Sequence, residues 1–252
     1  MERLIEEYKQ LGNPPIKEVI IGLLLDGLFV NKDEIQAFYD NFSLKNKYVK
    51  QESITSVSFE IGNEPKIAQN IADGIVLKTE AEDEIIQIEP NKIMFIDRNK
   101  YIGFNNFFNK FEAIIANISK MYNQEIEIAD IGLRYINNFN FLIDDIDKHF
   151  IIHPTLNTNT EKCPYALKNN YLSVASIIST VNPQMFATVK TLFQIANPVT
   201  LNITFDIDTH INKTYKLNDL GGVKSKVLEL KCFKNQIFFS NFNDIYNIEE
   251  FK

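Results

Sequence analysis

The stretch Glu125–Leu142 reads EIEIADIGLRYINNFNFL, and its reading decides the fold. Its middle alternates with the two-residue period of a β-strand that buries one face. Ile131, Leu133 and Tyr135 share one face, and Asp130, Gly132, Arg134 and Ile136 share the other. Arg134 is the residue out of place. A half-buried guanidinium needs a carboxylate or a set of carbonyls, because an unpaired buried charge is too costly. Gly132 leaves room beside it for the guanidinium or for a second backbone. One expectation is an ion pair with an Asp or Glu of a neighbouring strand. The other is a planar fork binding a phosphate or carboxylate ligand, with Tyr135 and Asn137 as adjoining ligand contacts. Without a ligand, Tyr135 reads as core and Asn137 as a turn or strand-end hydrogen-bonding residue.

Upstream of this strand, Asn105–Tyr122 places Phe107, Phe108, Phe111, Ile114, Ile115, Ile118, Met121 and Tyr122 on one helical face. That spacing predicts an amphipathic helix packed on a sheet. Ile16–Leu28, after Pro14-Pro15, is nearly all apolar and reads as a central strand. Asn31–Phe42 reads as a helix that Asn31 can cap. Ile54–Gly62, Gly74–Glu80, Ile85–Glu89 and Ile93–Asp97 read as strands, the last two joined by the turn signal Glu89-Pro90-Asn91-Lys92.

Downstream, Asp144–Asn170 is polar and turn-rich. A loop of that length suggests a boundary, with residues 1–143 as one module, 144–170 as a connection and 171–252 as a second module. In the second module Tyr171–Val181, Thr188–Ala196 and Val199–His210 read as strands separated by Asn-Pro turns. Asp219–Phe239 follows as a helix that Asp219 can cap, with Leu220, Val223, Val227, Leu230, Phe233 and Ile237 as its apolar stripe. Asn243–Lys252 reads as a short helical turn. The expected fold is α+β: two sheet-plus-helix modules, each a mainly antiparallel sheet covered by amphipathic helices.

Bulk properties narrow the function. The 252 residues are 45% hydrophobic and 23% charged, with 20 Phe and no Trp, so aromatic core filling falls to Phe. The net charge of -7 argues against a general nucleic-acid or anionic-membrane surface. The most basic run, Lys45-Asn46-Lys47-Tyr48-Val49-Lys50, reads as a solvated loop. The N-terminus carries acids where a secretion signal has cations, and no stretch is apolar enough to span a bilayer. Cys163 and Cys232 form no metal-spaced pair. These points together predict a cytoplasmic protein with reduced thiols.

Two short motifs carry a likeness: Asn13-Pro14-Pro15-Ile16-Lys17-Glu18 and Ile131-Gly132-Leu133-Arg134-Tyr135-Ile136-Asn137. With them the chain resembles a sporadically distributed bacterial family of uncharacterised proteins of about this length, marked by an N-terminal PPI-x-E and a central GLRYIN. Where that family commonly has Trp at the start of the middle helix, this chain has Phe107 or Phe108. The resemblance implies no catalytic residue. Its patchy distribution is similar to that of defence-associated genes.

Few residues invite chemistry. Asn202, Thr204, Asp206, Asp208 and His210 share one strand face, and Asp206, Asp208 and His210 could offer oxygen and imidazole ligands to a divalent ion. Alternate strand residues lie roughly 6.5–7 Å apart, so three of them rarely converge on one ion. A solvated strand face explains the same alternation. His149 and His153, behind Asp144, Asp145 and Asp147, read as linker polarity or as acid/base groups. Cys163 reads as a loop thiol, and Gly221-Gly222 as a turn at a helix start rather than a phosphate cradle. The expectation is therefore a non-enzymatic binding or interaction protein of a defence or toxin–antitoxin type module. It would need no cofactor and would engage another protein, with no nucleic acid and no membrane, and with a homodimer as one option. The alternatives are a metal-dependent hydrolase using Asp206, Asp208 and His210, or an anionic-ligand sensor at Arg134.

Overall fold

Pro14 and Pro15 have no N–H to give a ladder, and the first strand begins directly after them. In the computed structural model that strand, β1, spans Ile16–Leu25. Val19, Ile21, Leu23 and Leu25 are buried, while Ile20 and Gly22 on the opposite face are half-buried and Leu24 is exposed. An almost continuous apolar run is thus used as a one-sided strand. The structure describes residues 11–26, 32–60, 66–98, 101–121, 126–142, 145–150, 171–180, 184–197, 200–243, 245 and 248.

The remaining elements are α1 (Lys32–Asn41), β2 (Lys50–Glu60), β3 (Lys66–Lys78), β4 (Glu84–Glu89), β5 (Lys92–Arg98), α2 (Phe104–Met121), β6 (Glu127–Leu142), α3 (Ile146–His149), β7 (Tyr171–Ser179), β8 (Phe186–Asn197), β9 (Thr200–Lys216) and α4 (Leu220–Ser240). Strand pairing gives the order β2-β3-β4-β5-β1-β6-β9-β8-β7. The pairings β1–β5, β2–β3, β3–β4, β4–β5, β7–β8 and β8–β9 are antiparallel. The fold is α+β with a mainly antiparallel sheet.

Two features differ from the expectation. The strands form one hydrogen-bonded order where two separate sheets were expected. The two compact units are also not the segments 1–143 and 171–252. One unit holds the described parts of Met1–Lys17, Arg134–His210 and Leu228–Lys252, and the other holds those of Glu18–Leu133 and Ile211–Val227. Strand length is the physical reason. β6 and β9 run for 16 and 17 residues, so no boundary in chain order separates their partners. β9 continues past His210 because Ile211 keeps the buried face of Ile203, Phe205 and Ile207 going.

In the unit of Glu18–Leu133 and Ile211–Val227, α2 buries Phe107, Phe108, Phe111, Ile114, Ile115 and Ile118, the face its spacing predicts. Phe107 stacks on Phe95 of β5 with ring centroids 5.3 Å apart. Phe38, Phe42 and Tyr48 fill the space beneath α1. In the other unit the core is phenylalanine. Phe150 meets Phe139, Phe193, Phe205 and Phe242 at centroid distances of 5.9, 6.5, 6.0 and 4.4 Å. Phe238 of α4 packs on Phe139 and Phe205. The expected connecting loop begins with α3 and a bridge from Phe150 to Phe242. Its remainder, with His153 and Cys163, lies outside the described residues, as does most of the expected helical tail after Asn243. Among the described residues no helix is long and apolar enough to cross a membrane.

Candidate functional site

The alternation in β6 holds residue by residue. Ile131, Leu133 and Tyr135 are buried, and Asp130, Gly132, Arg134 and Ile136 are half-buried. Arg134 points from that second face at Asp206 of the neighbouring strand β9. Its Nε donates to Oδ1 at 2.8 Å and its Nη2 to Oδ2 at 2.7 Å. Parallel N–H···O bonds of this kind are the strong form of the ion pair, because both charge and plane are matched. The Arg134 side chain is 37% exposed and that of Asp206 12%, so the carboxylate is the member that depends on the pair.

Asn137 falls on the buried face with Tyr135, in mid-strand and not at a strand end or turn. It is 2% exposed, and its Nδ2 donates to the Phe205 carbonyl oxygen at 3.0 Å. Thr204 Oγ1 donates to Asn138 Oδ1 at 3.2 Å. Side chains on both faces therefore stitch β6 to β9. Tyr135 is 1% exposed and lies under Lys234 of α4, whose Nζ sits 4.1 Å from the ring centroid and 5.6 Å from that of Phe238. Among the described residues, the contacts of the Lys234 ammonium are these two rings. Burial, with Lys231 nearby, pulls the Lys234 amine down to about 7.

The β9 row divides into pairs. Asp206 goes to Arg134, and His210 Nε2 lies 3.0 Å from Asp208 Oδ1, both partly exposed. Among the described residues, no three His, Cys, Asp or Glu side chains gather as a group that could hold a metal ion. His149 stacks on Phe141 at 5.4 Å, and Asp145 pairs with Lys148 one turn away. Gly222 lies under the cap of α4. Its N–H donates to Asp219 Oδ1 at 2.9 Å, and a Cβ there would meet Asp219 Oδ2 at 2.2 Å. The Gly221-Gly222 pair thus serves the helix start, as the turn reading expects.

One cluster had no counterpart in the sequence reading. Glu84 of β4 and Asp97 of β5 face each other across the ladder, 8% and 1% exposed. Lys110 of α2 bridges them, with Nζ 2.8 Å from Asp97 Oδ2 and 3.2 Å from Glu84 Oε1. Lys47 reaches Glu84 Oε2 at 2.6 Å, and Tyr48 OH donates to the same oxygen at 2.9 Å. Burial opposes the Glu84 charge, but the hydrogen bonds from Lys47 and Tyr48 outweigh it and hold the carboxyl below its usual range. Burial also opposes the Lys110 charge, and Asp97 and Glu84 more than offset it, so the amine is raised. Tyr48 is pushed up, first by burial and then by the Glu84 carboxylate. Lys47 and Tyr48 belong to the run read as a solvated loop. Lys45 and Lys50 do stay on the surface, while Tyr48 is 1% exposed. The alternating strands gave no sign that Glu84 and Asp97 share a core face. Only the β4–β5 register brings them together.

No family model matches the chain, and no curated protein matches it.

Proposed function

We propose that this chain is a non-enzymatic binding protein that engages another protein along the open edge of β7. The observation that carries the reading is the state of that edge. β7 ends the strand order, and every residue from Ser173 to Ser179 is exposed, Ile177 by 81%. The strand reads YLSVASIIS, with no charge and no proline, and it pairs with β8 without a register shift. Proteins usually guard such edges with charges, prolines or bulges, because unpaired N–H and C=O groups recruit further strands. The other end of the order is guarded: β2 carries Lys50 and Glu52 and a register shift between Ile54 and Ser56.

Among the described residues, Asp206 is engaged by Arg134, Asp208 by His210 and Asp145 by Lys148, which supports the non-enzymatic side of the proposal. An anion sensor at Arg134 and a metal-dependent hydrolase at Asp206, Asp208 and His210 draw no comparable support. The stacking of Phe107 on Phe95 and of Phe238 on Phe139 supports helices that cover sheet faces in each unit. The reading places the protein in the cytoplasm, in a family marked by PPI-x-E and GLRYIN, within a defence or toxin–antitoxin type module. To test it, an uncharged nine-residue peptide of alternating Val and Ser with blocked ends is titrated into the protein. Saturable binding is expected, roughly tenfold weaker in Ile177→Lys, from lost apolar burial and the new edge charge. Absence of binding, or equal binding by Ile177→Lys, counts against it.

A further inference from the structure

We infer that the strand received at this edge is β7 of a second copy of the chain, antiparallel and centred on Ala175. The inference rests on the reading of β7 as the interaction edge and names its occupant.

Three observations favour a second copy. The first is charge. The chain carries a net charge of -7, so a partner selected by electrostatics would be basic, yet β7 offers no acid to receive it. A partner as uncharged along its strand as β7 itself meets the requirement. The second is pattern. β7 has nine residues with Ala175 at the middle. A two-fold axis there sets Ser173 against Ile177 and Val174 against Ser176 of the other copy, with Ala175 against itself. No like charges oppose each other, and all nine positions pair, giving roughly eight to ten backbone hydrogen bonds.

The third observation is the uncovered core face. Val174 lies opposite Thr191 and Ile178 opposite Ala187, and both of these β8 partners are buried, at 3% and 1% exposure. Val174 and Ile178 themselves remain 36% and 37% exposed. The buried face of the sheet therefore runs out one strand before the sheet does. In the two-fold arrangement Val174 of each copy lies diagonal to Val174 and Ile178 of the other, within reach of cross-strand contact. Self-pairing continues the core face across the axis.

The register makes a charge exchange decisive. Ala175 faces Lys190 of β8, so Ala175→Glu gains a local partner within the monomer. Across the axis it opposes its own copy, and like charges directly opposite are destabilising. Sedimentation velocity of the full chain at ~100 µM, enough to populate a dimer with a Kd on the order of 10 µM, is the measurement. The wild type is expected to be a dimer that strengthens with added salt, since screening relieves repulsion between two acidic copies. Ala175→Glu is expected to be a monomer, and a 1:1 mixture of Ala175→Glu with Ala175→Lys to recover the dimer. A monomeric wild type, or an Ala175→Glu variant as dimeric as the wild type, overturns the inference. A monomer that still binds the uncharged peptide along β7 overturns self-pairing alone. A monomer that binds neither overturns the edge reading as well.

Discussion

Arg134 and Asp206 meet fork to fork, Nε to Oδ1 at 2.8 Å and Nη2 to Oδ2 at 2.7 Å. The arginine that looked most like a ligand contact is a clamp between β6 and β9. Arg134→Met removes the fork and leaves a carboxylate that is 12% exposed. The expected cost is about 1–3 kcal/mol in urea unfolding, since the orphaned acid keeps its desolvation penalty. Arg134→Met/Asp206→Leu should lose less than the sum of the single changes. Unchanged stability in Arg134→Met would mean that the guanidinium is free for a ligand.

The Glu84 cluster predicts acid sensitivity. The folded carboxyl titrates below its ordinary value, because Lys47 and Tyr48 outweigh the burial that opposes its charge. Its contribution is therefore complete above the ordinary carboxylate pKa and is lost as pH falls through the lowered one. Glu84→Gln should be less stable than the wild type at neutral pH, and the gap should close between about pH 5 and pH 3. A gap that persists at pH 3 would show that the loss is not electrostatic.

Lys234 predicts a slope of the same sign in a higher pH window. Its amine is lowered to about 7, first by burial and then by Lys231. Between that value and the ordinary lysine pKa the unfolded chain holds the extra proton, so stability rises with pH across this window. Lys234→Met should remove that rise and add roughly 2–4 kcal/mol at pH 6, the buried charge's penalty less the contribution of Tyr135 beneath it. A loss of stability on this substitution would mean that the ring contacts outweigh burial.

Asp219 should behave as a helix cap and nothing more. Asp219→Ala is expected to cost about 1 kcal/mol in thermal unfolding. Gly222→Ala should cost a similar amount, because its Cβ displaces the Asp219 carboxylate. Stabilisation of the wild type by millimolar phosphate, lost in Gly222→Ala, would contradict this and restore the cradle reading.

The elements that could be read from the sequence are those whose pattern is local. The α2 stripe and the β6 alternation depend on neighbours a few residues away, and each is found where the spacing puts it. Arg134 was also legible, since a guanidinium on a half-buried strand face calls for a carboxylate whatever the fold. Its partner was not named in advance, because Asp206 lies 72 residues away, in a row that reads as a solvated strand face with a metal ligand set as the alternative. The partner of Asn137 and the Glu84–Asp97–Lys110 cluster were missed for the same reason. Their partners are set by strand register, which one sequence does not reveal. The exposure of β7 was hidden too. Tyr171–Ser179 is apolar enough to read as core, and only its place at the end of the strand order leaves it uncovered.

The most direct test is amide hydrogen exchange along β7, read against protein concentration. Raising the chain from ~1 to ~100 µM spans the affinity range of a modest interface. The account predicts that the alternate amides of residues 173–179 that face away from β8 become protected over that range while those of residues 50–54 on the guarded edge of β2 do not change. Exchange along β7 that is equally fast at both concentrations, and equally fast with the strand-forming peptide in excess, would contradict it.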